Sequence, residues 1–87
     1  MYRILVVDDE ELITDSLAYM LETTEIFELD VYKAYSANEA LGYLDKYAFD
    51  IIISDIQMPG MTGIELLKEI HQKWPSSQVV FLTGHDS

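Results

Sequence analysis

The sequence predicts an α/β domain in which helices cover both faces of a doubly wound parallel sheet. Short apolar runs, typical of strands, alternate along the 87 residues with segments whose apolar residues recur at helical spacing. The run Ile51-Ile52-Ile53 is the clearest, because three consecutive isoleucines indicate a strand that is buried on both faces. The length of the chain predicts a single domain. Its elements follow the order β-α-β-α-β-α-β, and right-handed connections between the strands then favour the sheet order 2-1-3-4.

The first strand and helix are predicted from an apolar run that is followed by a helical repeat. Tyr2–Val7 is predicted as the strand because it contains four consecutive apolar residues. A helix is predicted from Glu11 to Thr23, with Glu10 and Glu11 near the positive end of its dipole. The predicted inner face, at helical spacing, consists of Ile13, Leu17, Met20 and Leu21.

The second strand is predicted at an edge of the sheet. Leu29–Tyr35 alternates polar and apolar residues without a cleanly apolar face, which is typical of an edge strand. Ser36 and Glu39 then form the pattern of a capping box, which predicts the start of the second helix. The apolar residues assigned to that helix are Ala37, Ala40, Leu41 and Leu44.

The third strand, third helix and fourth strand follow in the same way. Asp50–Ser54 is predicted as a strand, and Met58-Pro59-Gly60 as a turn after it. Thr62 and Glu65 form a second capping-box pattern, and the helix that follows is expected to end before Pro75. Its predicted inner face consists of Ile64, Leu67, Ile70 and Trp74, and the fourth strand is Gln78–Leu82.

Composition excludes several classes of protein. Sixteen acidic residues against 5 basic ones give a net charge of −11, which argues against nucleic-acid binding by this segment. There is no cysteine, as expected for a protein of the reducing cytoplasm. No apolar stretch reaches the roughly 20 residues of a membrane helix, and Met1-Tyr2-Arg3 leads straight into a strand, so neither a membrane span nor a signal peptide is expected.

Carboxylates follow two of the predicted strands. Asp8 and Asp9 come after the first strand, and Asp55 comes after the third. Because parallel strands present their carboxyl ends at one edge of the sheet, these three acids are expected to converge. Three carboxylates so close together repel each other unless a cation lies between them. The pattern predicts a divalent-metal site in which Asp55 is free to act as a nucleophile, although capping of the first helix by Asp8 or Asp9 is an alternative.

The sequence contains three further motifs in order: Val6-Val7-Asp8-Asp9-Glu10, the segment from Ile53 to Gly63, and Phe81-Leu82-Thr83-Gly84. In these motifs the chain resembles the receiver domain of two-component response regulators. The resemblance implies that Asp55 is the phosphoacceptor, which receives a phosphoryl group from the phosphohistidine of a sensor histidine kinase. It also implies that Asp8, Asp9, Asp55 and the backbone carbonyl of Gln57 bind Mg²⁺, and that Thr83 is a switch hydroxyl that bonds a phosphoryl oxygen.

The resemblance further implies a flavodoxin-like receiver fold whose fifth strand and last two helices are absent from this chain. The family's fifth strand carries a lysine that pairs with the phosphoryl group, whereas the last lysine here is Lys73. We therefore expect residues 1–87 to form a receiver domain that is incomplete at its carboxyl end. Receivers catalyse only their own phosphorylation and dephosphorylation, and many control a DNA-binding output, so the expected output is transcription.

Two other functions are compatible with parts of the pattern. Haloacid-dehalogenase-like phosphatases also use an aspartate nucleophile with Mg²⁺, but they need an acid two residues after it, where this chain has Gln57. Their nucleophile usually lies on the first strand and not the third. The other alternative is a receiver-like interaction module that is never phosphorylated.

The sequence also predicts self-association through the fourth strand. Val79, Val80, Phe81 and Leu82 are four consecutive apolar residues on a strand expected at the edge of the sheet. An uncovered apolar edge is a template for pairing with another chain.

Overall fold

A computed structural model describes residues 1–82 and confirms the predicted fold class. Within these residues, four parallel strands form one sheet in the order β2-β1-β3-β4, so the predicted strand order is correct. The strands alternate with three helices. The elements are β1 (Tyr2–Val7), α1 (Glu11–Glu22), β2 (Leu29–Ala34), α2 (Ala37–Lys46), β3 (Ile51–Asp55), α3 (Gly63–Lys73) and β4 (Gln78–Leu82).

The strand register places the ends of β1 and β3 at the same level. Val7, the last residue of β1, pairs with Ser54 of β3 and with Ala34 of β2. Asp55, the last residue of β3, pairs with Leu82 of β4. The third strand therefore begins and ends one residue later than Asp50–Ser54, and Asp55 belongs to the strand itself.

The larger part of the core lies between the sheet and helices α2 and α3. Side chains alternate across a strand, so Leu5 and Val7 face this core while Ile4 and Val6 face α1 on the other side. The buried residues of this core are Leu5, Val7, Ala34, Ala37, Ala40, Leu44, Phe49, Ile52, Met58, Leu66 and Ile70.

Two helices bury faces that match the predicted ones only in part. In α1, Ile13 and Met20 are 42% and 62% exposed, whereas Thr14 and Ala18 are fully buried. Small side chains allow the helix to lie close to β1 and β2, so the sheet contact is centred on them and not on the larger apolar residues. In α3, Ile70 is fully buried as predicted, but Leu66 is fully buried as well and Ile64 is 44% exposed.

One of the two predicted capping boxes is confirmed and the other is altered. Thr62 accepts a hydrogen bond from the Glu65 N–H, and Glu65 accepts one from the Thr62 N–H. At α2, Ser36 accepts from the Glu39 N–H as predicted, but the Glu39 carboxylate accepts from the Tyr35 N–H instead of from Ser36. This hydrogen bond connects the first turn of α2 to Tyr35, the residue that follows β2.

No helix within residues 1–82 is both long and apolar enough to cross a membrane.

Candidate metal and phosphoacceptor site

Three carboxylates converge at the carboxyl edge of the sheet. Asp8 and Asp9 directly follow β1, and Asp55 ends the neighbouring β3. One carboxylate oxygen from each residue lies within 4.8 Å of the other two. The predicted convergence is thus present, and it results from the matched ends of two adjacent parallel strands.

Asp8 is the most buried member of this acidic cluster, with 3% of its surface exposed. Its backbone N–H donates to the Ala34 carbonyl over 3.2 Å, and its Oδ1 accepts from the Glu10 N–H over 3.0 Å. Burial raises the pKa of Asp8 above its usual value, the Glu10 hydrogen bond opposes this, and the charges of Asp55 and Asp9 raise the pKa further. The site therefore disfavours its own negative charge when no cation is present.

The alternative of a capping role for Asp8 or Asp9 is not what the structure shows. The N-cap of α1 is Glu10, and its side chain makes no capping hydrogen bond. Asp8 instead bonds the Glu10 N–H, one residue before the helix, and Asp9 is exposed. Both acids are thus held beside Asp55 without being required by the helix.

The loop after β3 surrounds Asp55 on its other side. The Gln57 N–H lies 3.4 Å from Asp55 Oδ1, and the Gln57 side chain is exposed. Gly60 has a φ of 87°, a left-handed conformation that favours glycine and that allows the predicted turn. The Gly63 N–H donates to the Ile56 carbonyl over 2.6 Å, so the first residue of α3 closes the loop onto the end of β3.

Gly63 is needed for a different reason from Gly60. A Cβ at this position would collide with the Asp55 carbonyl oxygen and would come within 2.8 Å of Ile56 Cα and 3.0 Å of Phe81 Cε1. The amino end of α3 therefore lies directly on the backbone of the proposed nucleophile, and only a residue without a side chain fits there.

An open pocket adjoins Asp55 along this loop. It has a volume of about 520 Å³, and Asp55 itself is not among the residues that line it. Its lining is Ile56, Gln57, Met58, Pro59, Thr62 and Ile64.

The charge of the acidic cluster is not offset by a basic side chain in the described part of the chain. The ion pairs found in residues 1–82 join Arg3 to Asp30, Lys33 to Asp15 and Lys73 to Glu69. The donors available at the cluster are all oxygens, which suit a hard divalent cation such as Mg²⁺. The residues present therefore fit the metal that the sequence predicts.

Two expectations from the sequence remain predictions. Thr83, the expected switch hydroxyl, lies outside the described residues, although it directly follows Leu82, the partner of Asp55 in the sheet. Gln57 lies two residues after Asp55 in the loop, and its role as a carbonyl ligand stays an expectation.

The family model for the response regulator receiver domain matches residues 4–87. The chain belongs to this family. Receivers are signalling switches and not classical enzymes.

The receiver has relatives among regulators of transcription. It is 37% identical over 84 residues to a protein of Bacillus subtilis (strain 168) named "Uncharacterized transcriptional regulatory protein YesN". The match covers 97% of this chain but only 23% of that protein, so the chain spans about a quarter of the relative's length.

Solved receiver structures have the same fold. A response regulator receiver domain protein from Clostridium thermocellum is 33% identical and superposes with a TM-score of 0.88, over 98% of this chain and 67% of that one. The response regulator TrrA from Thermotoga maritima, solved in complex with Mg(2+)-BeF, is 35% identical, with a TM-score of 0.88 over 99% of this chain and 72% of that one.

Proposed function

We propose that this receiver is a phosphorylatable switch in which Asp55 accepts a phosphoryl group from the phosphohistidine of a sensor histidine kinase. In this reaction an Asp55 oxygen attacks phosphorus, the P–N bond breaks, and the histidine nitrogen leaves and takes up a proton. The observation that carries the proposal is the convergence of three carboxylates within 4.8 Å at the ends of β1 and β3. Phosphoryl transfer depends mainly on positioning and charge neutralisation, which such a site provides when a cation is bound.

The proposed metal ligands are Asp8, Asp9, Asp55 and the backbone carbonyl of Gln57. Mg²⁺ at this site would neutralise charge on the transferred phosphoryl group. The Thermotoga maritima relative supports Mg²⁺ as the cation, because it was solved in complex with Mg(2+)-BeF. Thr83 is proposed to bond a phosphoryl oxygen, since it follows the strand residue that pairs with Asp55.

The proposed output is control of transcription, with residues 1–87 as the phosphoacceptor part of the regulator. The printed name of the Bacillus subtilis relative supports this. The receiver would then act only on itself, through phosphorylation and hydrolysis of the aspartyl phosphate.

Incubation with phosphoramidate and Mg²⁺ is expected to add one phosphoryl group to the protein. The acidic cluster needs a cation before a further anionic group can enter, so chelation of Mg²⁺ by EDTA should prevent the addition. Intact-mass spectrometry reads the adduct directly. If no adduct forms at any Mg²⁺ concentration, the protein is better described as a receiver-like interaction module.

Mg²⁺ is expected to raise the melting temperature, because it binds the native site and not the unfolded chain. A tenfold excess of Mg²⁺ over Kd gives about 1.4 kcal/mol. For a domain of this size that corresponds to roughly 5–10 °C. Asp9→Ala, which removes an exposed ligand, should abolish the Mg²⁺ effect, whereas Asp45→Ala on the exposed face of α2 should keep it. Equal responses of Asp9→Ala and wild type would refute the metal site.

Self-association is expected through β4, one of the two edge strands of the described sheet. Val80 is 49% exposed and lies on the face opposite Val79 and Phe81, so both the edge and an apolar side chain meet solvent. Light scattering at rising concentration should show a growing mean mass for wild type and a monomer for Val80→Lys.

A matched control tests whether the effect belongs to this edge. Ile26→Lys adds the same charge at an exposed apolar residue just before β2, which forms the opposite edge of the sheet. It should associate like wild type. A strictly monomeric wild-type protein at high micromolar concentration shows that β4 does not mediate association.

A further inference from the structure

Thr14 is a buried polar residue whose hydroxyl links α1 to the acidic cluster. Its side chain is fully buried, and Oγ1 lies 2.7 Å from the Asp8 carbonyl oxygen and 3.2 Å from the Glu10 carbonyl oxygen. The shorter contact spans the corner between β1 and α1. A hydroxyl has one hydrogen to donate, so the Asp8 carbonyl is its main acceptor.

The helix itself does not satisfy the Asp8 carbonyl. The N–H groups of Ile13 and Thr14 both donate to Glu10, which is the first carbonyl used by α1. Asp8 is almost fully buried, and among residues 1–82 the Thr14 hydroxyl is the hydrogen-bond donor to its carbonyl.

Asp8 is therefore held at three points. Its N–H is bonded to the Ala34 carbonyl, its Oδ1 to the Glu10 N–H, and its carbonyl to the Thr14 hydroxyl. These bonds oppose the repulsion that drives the β1–α1 corner away from Asp55 when no cation is bound.

We propose that Thr14 is a positioning residue of the metal site, which keeps Asp8 and Asp9 within reach of Asp55 through its bond to the Asp8 carbonyl. The proposal rests on the Mg²⁺ site proposed above. Thr14 touches neither metal nor substrate, and it acts through the backbone of a ligand. Residues that orient metal ligands in this way commonly change metal affinity by about tenfold or more when they are replaced.

The test is the Mg²⁺ dissociation constant, measured by NMR titration of backbone amides at a temperature where every variant is folded. Thr14→Val preserves the branched shape and removes the hydroxyl, and it should weaken Mg²⁺ binding roughly tenfold. Thr14→Ser restores the hydroxyl and should bind within about twofold of wild type, because the donor and its acceptor are both present.

Thr23 offers a matched control on the same helix. Its hydroxyl also donates to a backbone carbonyl, that of Tyr19 over 2.8 Å, but it lies at the other end of α1. Thr23→Val should lose some stability and keep the wild-type dissociation constant, which separates a positioning effect from a general loss of stability.

The outcomes distinguish this proposal from the function on which it rests. Wild-type affinity in Thr14→Val, or equally weak binding by the serine and valine variants, overturns the role of the hydroxyl and leaves the metal site intact. Absence of Mg²⁺ binding by the wild type overturns both. If Thr14→Val does not fold, Thr14→Cys, with a weaker donor of similar size, takes its place in the same comparison.

Discussion

Asp55→Asn is expected to abolish phosphoryl addition while leaving the protein folded. Asparagine has the size and shape of aspartate, but it lacks the second carboxylate oxygen and the charge that make Asp55 a nucleophile. Asp55 is half-buried at the end of β3, and in the described residues no ion pair depends on it. Removal of one negative charge from the cluster should also raise the melting temperature in the absence of Mg²⁺.

Asp50→Asn is the matched control for this prediction. Asp50 precedes the same strand at its opposite end, where its Oδ2 accepts a hydrogen bond from the Arg3 N–H. Asparagine retains an acceptor oxygen there, so this variant should be phosphorylated like wild type. An adduct of equal yield in Asp55→Asn assigns the acceptor to another residue.

Gly63→Ala is expected to destabilise the domain by about 3 kcal/mol, the upper part of the usual cost of overpacking. The new methyl group would collide with the Asp55 carbonyl oxygen and press on Ile56, and backbone atoms cannot rotate away as a side chain can. For a domain of this size the melting temperature should fall by roughly 15 °C. Phosphorylation should decline as well, because the end of β3 must shift to admit the methyl group.

Gly42→Ala is the control, since this glycine is exposed in the middle of α2 and a Cβ there would meet no atom within 4 Å. It should stabilise the domain by about 0.5–1 kcal/mol through helix propensity. A melting temperature of Gly63→Ala within a few degrees of wild type would show that α3 can retreat from Asp55 without cost.

The sheet and the acidic cluster were predictable because they depend on patterns that few alternatives share. Apolar runs such as Ile51-Ile52-Ile53 identify buried strands, and right-handed connections favour the order 2-1-3-4. Once β1 and β3 are neighbours, the acids that follow them must meet at one edge. Asp8, Asp9 and Asp55 could therefore be grouped without coordinates.

Helix orientation and local support were less predictable. The apolar residues of α1 predicted an inner face that includes Ile13 and Met20. In the structure, the residues that α1 buries against the sheet are Thr14 and Ala18. A threonine among helical residues gives no signal that its hydroxyl reaches the carbonyl of Asp8. Likewise, the capping-box pattern of Thr62 and Glu65 predicts where α3 begins, and only the packing of α3 on Asp55 reveals that Gly63 must lack a side chain.

The central claim is that one carboxylate at this sheet edge, Asp55, carries the phosphoryl group. The most direct measurement is borohydride trapping after phosphorylation, which reduces an aspartyl phosphate to homoserine, followed by fragment-mass mapping of the digested protein. The proposed site predicts homoserine at Asp55, dependent on Mg²⁺ during phosphorylation. Homoserine at Asp8 or Asp9, or a phosphoryl group carried by His71 with Asp55 unmodified, would contradict it.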